Sequence, residues 1–238
     1  MKKYLAIAGI DIPLLKNDFE FTLLAPDKLI AKQVQHHADM ILAIFDNKIF
    51  CHKTYFEDNK EIIKNIADFG KLEIVLSDCK RNDIYPFDIA FNALTIGDRL
   101  ICKKDYICPE LVQYDIINTK QGYAGCTALY AADTVITADK ATIKACRENN
   151  IPYFEITGED ILLPGYDTGF IGGACGVCED TIYIYGDPTT SHSGQALTEF
   201  CKDKGLRLVS VYNGPVTDIG GIKFIDKPSP SGNGSTSG

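Results

Sequence analysis

A chain of 238 residues that is 45% apolar and 24% charged has the profile of a globular protein with a sizeable core. Its formal net charge of −8, with Lys and Arg scattered rather than gathered into a stripe, argues against a nucleic-acid partner. No apolar run reaches the roughly 20 residues that a membrane-spanning helix needs, so no membrane partner is expected.

The chain opens MKKYLAIAGIDIPLL, two lysines before an apolar run. Asp11 interrupts that run early and no small-x-small cleavage signal comes after it, so KYLAIAG reads as a strand and not as a secretion signal. DKLIAKQVQHH (27–37) then reads as a helix. Beyond it the chain repeats. Residues 41–51 (ILAIFDNKIFC), 92–102 (NALTIGDRLIC), 127–137 (TALYAADTVIT) and 174–184 (ACGVCEDTIYI) each place a polar turn between two β-rich runs. The turns centre on Asn47, Asp98, Asp133 and Asp180, the composition of a β-hairpin. GGIKFID (220–226) is half of a fifth copy.

The segments after the hairpins repeat too. After the first comes a helix, DNKEIIKNIADFG, with Asp58 and Glu61 spaced as a capping box and Gly70 as a stop, then a strand, KLEIVLS. After the third comes DKATIKACRENN, capped by Asp139, then IPYFEIT. After the fourth comes SHSGQALTEFCKDKG, with Ser193 as cap and Gly205 as stop, then LRLVSV. The second unit is irregular, because Pro109 in KKDYICPELVQY leaves room only for a short helix before DIINTK. The unit is hairpin, helix, strand, at a pitch of roughly 35 to 50 residues, the range of repeat architectures. The missing parts of the fifth copy are supplied by the N-terminus, so residues 1–226 are expected to form one domain closed by its two ends. Residues 227–238, KPSPSGNGSTSG, have no apolar residue and are expected to be a disordered tail.

Five hairpin-helix-strand units closed around an axis resemble the pentein superfamily, whose fold is a five-bladed α/β propeller. Its members include deiminases, dimethylargininases and amidinotransferases acting on guanidino groups, and a non-catalytic ribosome anti-association factor. The resemblance spans about residues 1–226. It implies a central channel lined by the starts of the inner hairpin strands, here DIAFN (88–92), QGYAGCT (121–127), GFIGGAC (169–175) and TDIGGIK (217–223). It also implies a Cys nucleophile in the last blade, assisted by a His and by acidic residues. This sequence departs from that pattern. TDIGGIKFID has no Cys, and Cys126 stands at the third strand start where a His is expected.

Several residues qualify as candidates for a site. Cys126 is either a reactive thiol or a small buried side chain at a tight centre. Asp88 and Asp218 either bind a cationic head or cap turns, and Asn92 can orient a ligand by hydrogen bonds. Gly172, Gly173, Gly220 and Gly221 let backbones approach closely in a crowded channel, with Cys175 beside them. Cys175 and Cys178 form a C-x-x-C without the second pair that a zinc site needs, and on a strand they point to opposite faces. No metal and no cofactor are expected: FIGGACG lacks the dinucleotide spacing, and no Ser-centred G-x-S-x-G exists. GDPTTSHSG (186–194) leads into a helix whose N-terminus either holds an anion or is simply capped. Nine cysteines, an odd number spread from Cys51 to Cys201, read as reduced thiols of a cytoplasmic protein. Two functions stand: a non-catalytic member that binds a small cationic molecule or a protein partner, or a hydrolase or amidinotransferase acting on a guanidino compound.

Overall fold

The computed structural model describes residues 2–156 and 160–228. The chain forms five three-stranded sheets of one pattern. In four of them an antiparallel hairpin is followed by a third strand that pairs parallel to the second. The hairpins are β3 (Leu42–Phe45) with β4 (Lys48–His52), β6 (Leu94–Ile96) with β7 (Arg99–Cys102), β9 (Ala128–Ala131) with β10 (Thr134–Thr137), and β12 (Cys175–Cys178) with β13 (Thr181–Ile184). Their parallel third strands are β5 (Glu73–Ser77), β8 (Ile116–Asn118), β11 (Tyr153–Glu155) and β14 (Arg207–Ser210). The fifth sheet joins the two ends of the chain: β15 (Lys223–Asp226) pairs antiparallel with β1 (Tyr4–Ala8), and β2 (Glu20–Leu23) follows β1 in parallel.

The hairpins are set by their turns. Asp46-Asn47 and Ala132-Asp133 all have positive φ, between 45° and 56°, the backbone that a two-residue turn matched to strand twist requires. Gly97 and Glu179 take the same left-handed conformation at the first turn position of the second and fourth hairpins. Each parallel strand needs a crossover, and helices supply it in three units. In the first, α3 (Lys53–Asp58) and α4 (Lys60–Gly70) connect β4 to β5. In α4, Ile63, Ile66, Ala67 and Gly70 are buried, an i, i+3, i+4, i+7 stripe facing the sheet. The third unit uses α6 (Lys140–Glu148) and the fourth α8 (His192–Lys204). Asp139 caps α6 by accepting from the Thr142 N–H at 2.6 Å, and Gly205 ends α8 at φ +68°. In the second unit Pro109 limits the crossover to two 3-10 turns. Between β1 and β2 lies only α1 (Leu15–Asp18). The apolar core lies between sheets and crossovers, as where Leu197, Phe200 and Cys201 of α8 pack with Ile182 and Ile184 of β13. No helix is long and apolar enough to cross a membrane, among the described residues.

The local readings differ from the structure in four places. Residues 27–37 form turns instead of a helix, because Asp27 is held by a buried ion pair with Arg81 while Ile30 and Val34 fold inward beside Met40 and Cys126. The first crossover starts at Lys53, so no capping box forms at Asp58: the His52 ring accepts from the Thr54 N–H at 3.2 Å, and the helical break falls at Asn59. Lys71, not Gly70, adopts the left-handed terminal conformation of α4. Ser191, not Ser193, caps α8 by accepting from the Gly194 N–H at 2.9 Å. Residues 229–238 of the expected tail, and Thr157 at the end of IPYFEIT, lie outside the described residues.

Candidate functional site

Three of the segments that enter the inner strands are single helical turns, where strand starts were expected. These are α2 (Ala38–Ile41), α5 (Ala124–Thr127) and α7 (Ile171–Ala174); the other two entry segments are a turn at 89–92 and, at 218–221, a bend that forms no helical turn. Consecutive segments are tied to one another. The Asp39 N–H donates to the Gly220 carbonyl at 3.0 Å. The Asn92 amide donates to the Asp39 carbonyl at 3.2 Å and accepts from the Gly125 N–H at 2.7 Å. Gly172 lies so close to α5 that a Cβ would stand 2.6 Å from the carbonyl oxygens of Gly125 and Cys126. The N–H groups of Ile219 and Gly221 both donate to the Gly173 carbonyl, at 2.9 and 2.7 Å. The expectation of close approach at the glycines therefore has specific content. A Cβ on Gly173 would stand 2.0 Å from Asp218 Oδ1, and Gly220 and Gly221 have φ of +80° and +76°.

Residues in and before these turns line a first cavity of about 160 Å³, walled mostly by apolar groups. All five units contribute: His37 and Met40, Asp88, Tyr123 and Cys126, Tyr166 and Phe170, and Asp218. Residues in and after the turns line a second cavity of about 300 Å³, whose walls include Asp39, Cys175, Gly176 and Lys223. Of the residues singled out from the sequence, Asp88, Cys126 and Asp218 reach the first cavity, and Gly172, Cys175, Gly220 and Gly221 the second. Asn92 and Gly173 are buried between them. Cys175 and Cys178 lie in separate apolar clusters, as opposite faces of a strand require.

The electrostatics are those of carboxylates short of partners. Asp88 Oδ2 accepts from the Tyr123 hydroxyl at 2.7 Å, while its Oδ1 is buried without a partner. Both carboxylate oxygens of Asp39 are buried, with the thiol of Cys126 as their polar neighbour. Asp218 accepts from the N–H groups of Phe170 at 2.9 Å and Gly220 at 3.0 Å. Burial first, and then the charge of Asp39, nevertheless push its carboxyl up to about 7. His37 Nδ1 stands 3.7 Å from Asp218 Oδ1, but burial lowers the pKa of His37, so this contact is no strong ion pair at neutral pH.

Cys126 Sγ accepts from the Asn92 amide at 2.9 Å. Burial, followed by the charges of Asp39 and Asp218, holds its thiol well above the usual range, which is the opposite of what an activated nucleophile needs. Cys79 is the one cysteine that is not buried. At pH 7.5 iodoacetamide is expected to modify Cys79 first and to leave Cys126 at least tenfold slower, read by peptide mass spectrometry. Fast labelling of Cys126 would restore the reactive-thiol reading.

His37, Asp39, Tyr123 and Lys223 escaped the sequence reading. The repeat carried a signal for Asp39, since HADM precedes ILAIF as DIAF precedes NALTI. The helix expected at 27–37 drew attention from it. The α8 N-terminus, read as a possible anion site, is filled by the chain itself: Asp160 accepts from the His192 backbone N–H and from its ring Nδ1, the latter at 2.9 Å. Among the described residues no group of three or more His, Cys, Asp or Glu is arranged to hold a metal ion.

A family model described as a family of unknown function, DUF6873, matches residues 9–223. The chain belongs to that family. No curated protein matches the sequence. Its fold is similar to that of dimethylarginine dimethylaminohydrolase from Pseudomonas aeruginosa, solved with citrulline, at a TM-score of 0.56 and 10% identity, covering 95% of this chain and 100% of that one. It is also similar to the agmatine deiminase of C. jejuni, with TM-score 0.54, 10% identity and coverage of 95% and 82%. A third likeness is to an amidinotransferase of saxitoxin biosynthesis from Microseira wollei, with TM-score 0.52, 9% identity and coverage of 90% and 77%. All three are penteins, and this member of the DUF6873 family shares their fold.

Proposed function

We propose that this protein is a binding member of the pentein superfamily, which takes a small cationic molecule into the first cavity without covalent catalysis by Cys126. In this reading residues 1–226 are one domain, the five sheets are blades of a closed propeller, and the chain works in the cytoplasm with its thiols reduced. Hydrogen bonds join every neighbouring pair of entry segments except α5 and α7, which meet through the close approach of Gly172, and this succession supports the ring. The observation that carries the function is the unpaired, buried Oδ1 of Asp88 beside a cavity that Asp218 also lines. A buried carboxylate oxygen without a partner is costly, and a guanidinium or amine head relieves that cost. Tyr123 fixes the other oxygen of Asp88, the apolar walls exclude water, and Asn92 keeps Cys126 and the entry turns in register. The glycines make room for that packing. The guanidino class is favoured by the neighbours in structure space, one solved with citrulline and another named for agmatine. A volume of about 160 Å³ suits such a head group rather than a whole peptide.

Calorimetry with arginine, agmatine, methylated arginines and guanidinoacetate tests this. One of them is expected to bind, and Asp88→Asn and Asp218→Asn each to lose at least tenfold in affinity, about 1.4 kcal/mol. The pH dependence has a definite sign. Asp218 must ionise to meet a cation, so affinity rises from pH 6 to 8 and binding releases a proton. Because its folded pKa is raised, Asp218 contributes stability that is full below about 4 and is lost as pH rises through about 7. Without ligand the protein is thus expected to lose stability over the window in which it gains affinity. If instead ammonia or a ureido product forms, and disappears in Cys126→Ala, the hydrolase reading replaces this one.

A further inference from the structure

Lys223 opens β15 and lines the second cavity, which is framed by inner strands of all five sheets. Its side chain has no salt bridge and no hydrogen bond, among the described residues. It is half-buried, open to the cavity and otherwise enclosed by protein. The groups around it are few. Asp39 of α2, Cys175 of β12 and Tyr130 of β9 line the same cavity, the Tyr130 hydroxyl being engaged by Asp133 at 3.1 Å, and Cys126 of α5 lies near Lys223. Strands β3 and β6 bring only Ile44, Leu94 and Thr95. Asp39 is therefore the one acidic side chain lining that cavity.

We infer that Lys223 is a reactive amine that condenses with a small aldehyde or ketone carrying no negative charge, held in the second cavity. An amine attacks a carbonyl only when unprotonated, and desolvation favours that form. Burial does lower the pKa of Lys223, with the charge of Asp39 opposing it. The Asp39 carboxylate in the lining disfavours an anionic carbonyl compound and favours a neutral or cationic one. A volume of about 300 Å³ limits the guest to a small molecule. In the condensation Nζ forms a bond to the carbonyl carbon as the C=O π pair moves to oxygen. A proton passes from nitrogen to that oxygen, giving a carbinolamine. The C–O bond then breaks as the nitrogen lone pair forms C=N, and the oxygen leaves as water. Amine plus carbonyl gives imine plus one water, with no redox change. The charge of Asp39, in the same cavity, stabilises the protonated imine.

The test uses the full chain with propanal and cyanoborohydride at pH 7, with peptide mass spectrometry as the readout. Glyoxylate serves as the anionic counterpart, and Lys28, whose side chain is 81% exposed, as the reference lysine. Lys223 is expected to carry at least tenfold more propyl adduct than Lys28 and to show no such preference with glyoxylate. In Asp39→Asn the pH profile of Lys223 labelling moves to lower pH, because the charge that favours the ammonium is gone. In Lys223→Arg the adduct vanishes while the fold keeps a cation there. Equal labelling of Lys223 and Lys28, or a preference for glyoxylate, overturns the inference. The wild-type ratio decides on its own should Asp39→Asn fail to fold. Cation binding in the first cavity is not an input to this measurement, so the two proposals fail separately.

Discussion

Gly172→Ala is expected to destabilise the protein by about 3 kcal/mol or more, the upper range for forcing an atom into a packed interior. The new Cβ would stand 2.3 Å from the carbonyl oxygen of Ala128 and 2.6 Å from those of Cys126 and Gly125. All three are backbone atoms of the neighbouring unit, so no side chain can swing aside. Relief requires the third and fourth units to separate at the entry turns, where Gly173 in turn holds the N–H groups of Ile219 and Gly221. Two other glycines set the scale. Gly205→Ala meets nothing within 4 Å and bears only the strain of φ +68°, about 1 kcal/mol. Gly173→Ala meets the carboxylate of Asp218, a side chain that can move, so it displaces the proposed cation-binding carboxylate at a smaller cost in stability. Urea unfolding of the three variants gives the order. A Gly172→Ala midpoint indistinguishable from that of Gly205→Ala would refute the close approach.

Much of this architecture was legible because it is repeated. Each hairpin announces itself by a turn of Asn, Asp or Gly between β-branched runs, and Asp46-Asn47 and Ala132-Asp133 adopt the left-handed backbone such turns require. The crossover after Asp139 and the stop at Gly205 were equally local, since each is a single residue satisfying backbone groups of its own helix. The fifth sheet was legible only through the incompleteness of GGIKFID, which needed a partner from the other chain end. The features that escaped were decided at long range. DKLIAKQVQHH has the composition of a helix, yet Asp27 is bound to Arg81, 54 positions away, and that pair outweighs propensity. The site shows the same division. Glycine pairs betray a crowded centre, so Gly172, Gly173, Gly220 and Gly221 could be found. The unpaired Oδ1 of Asp88 and the bare amine of Lys223 depend on what fails to reach them, and no local pattern records that.

Arg81→Met is expected to cost about 3 to 5 kcal/mol at pH 7, the range for removing one partner of a buried ion pair. The Arg81 side chain is fully buried. It donates through Nε to Asp27 Oδ2 at 3.1 Å and through Nη2 to the Met40 carbonyl at 2.6 Å, with Nη2 also 3.0 Å from Asp27 Oδ2 and the guanidinium 5.0 Å from the Phe91 ring. Methionine fills much of the volume, so the loss is electrostatic: Asp27 keeps the Leu29 N–H at 2.9 Å but has no cation. Two consequences separate this cause from simple loss of packing. In the variant the stranded carboxylate gains a raised pKa, so stability increases as the pH is lowered from 7 toward 5, by more than in the wild type. The double variant Asp27→Asn, Arg81→Met removes the charge itself and recovers part of the loss, a coupling that a packing defect would not produce. Because Arg81 also holds the carbonyl of Met40, a wall of the first cavity, cation affinity is expected to fall in both variants, including the one whose stability recovers. Urea unfolding at pH 7 and pH 5, with calorimetry of the refolded double variant, reads all three effects. An Arg81→Met protein within 1 kcal/mol of wild type at pH 7 would mean that the pair contributes little to the fold and that residues 27–37 are positioned by their apolar side chains alone.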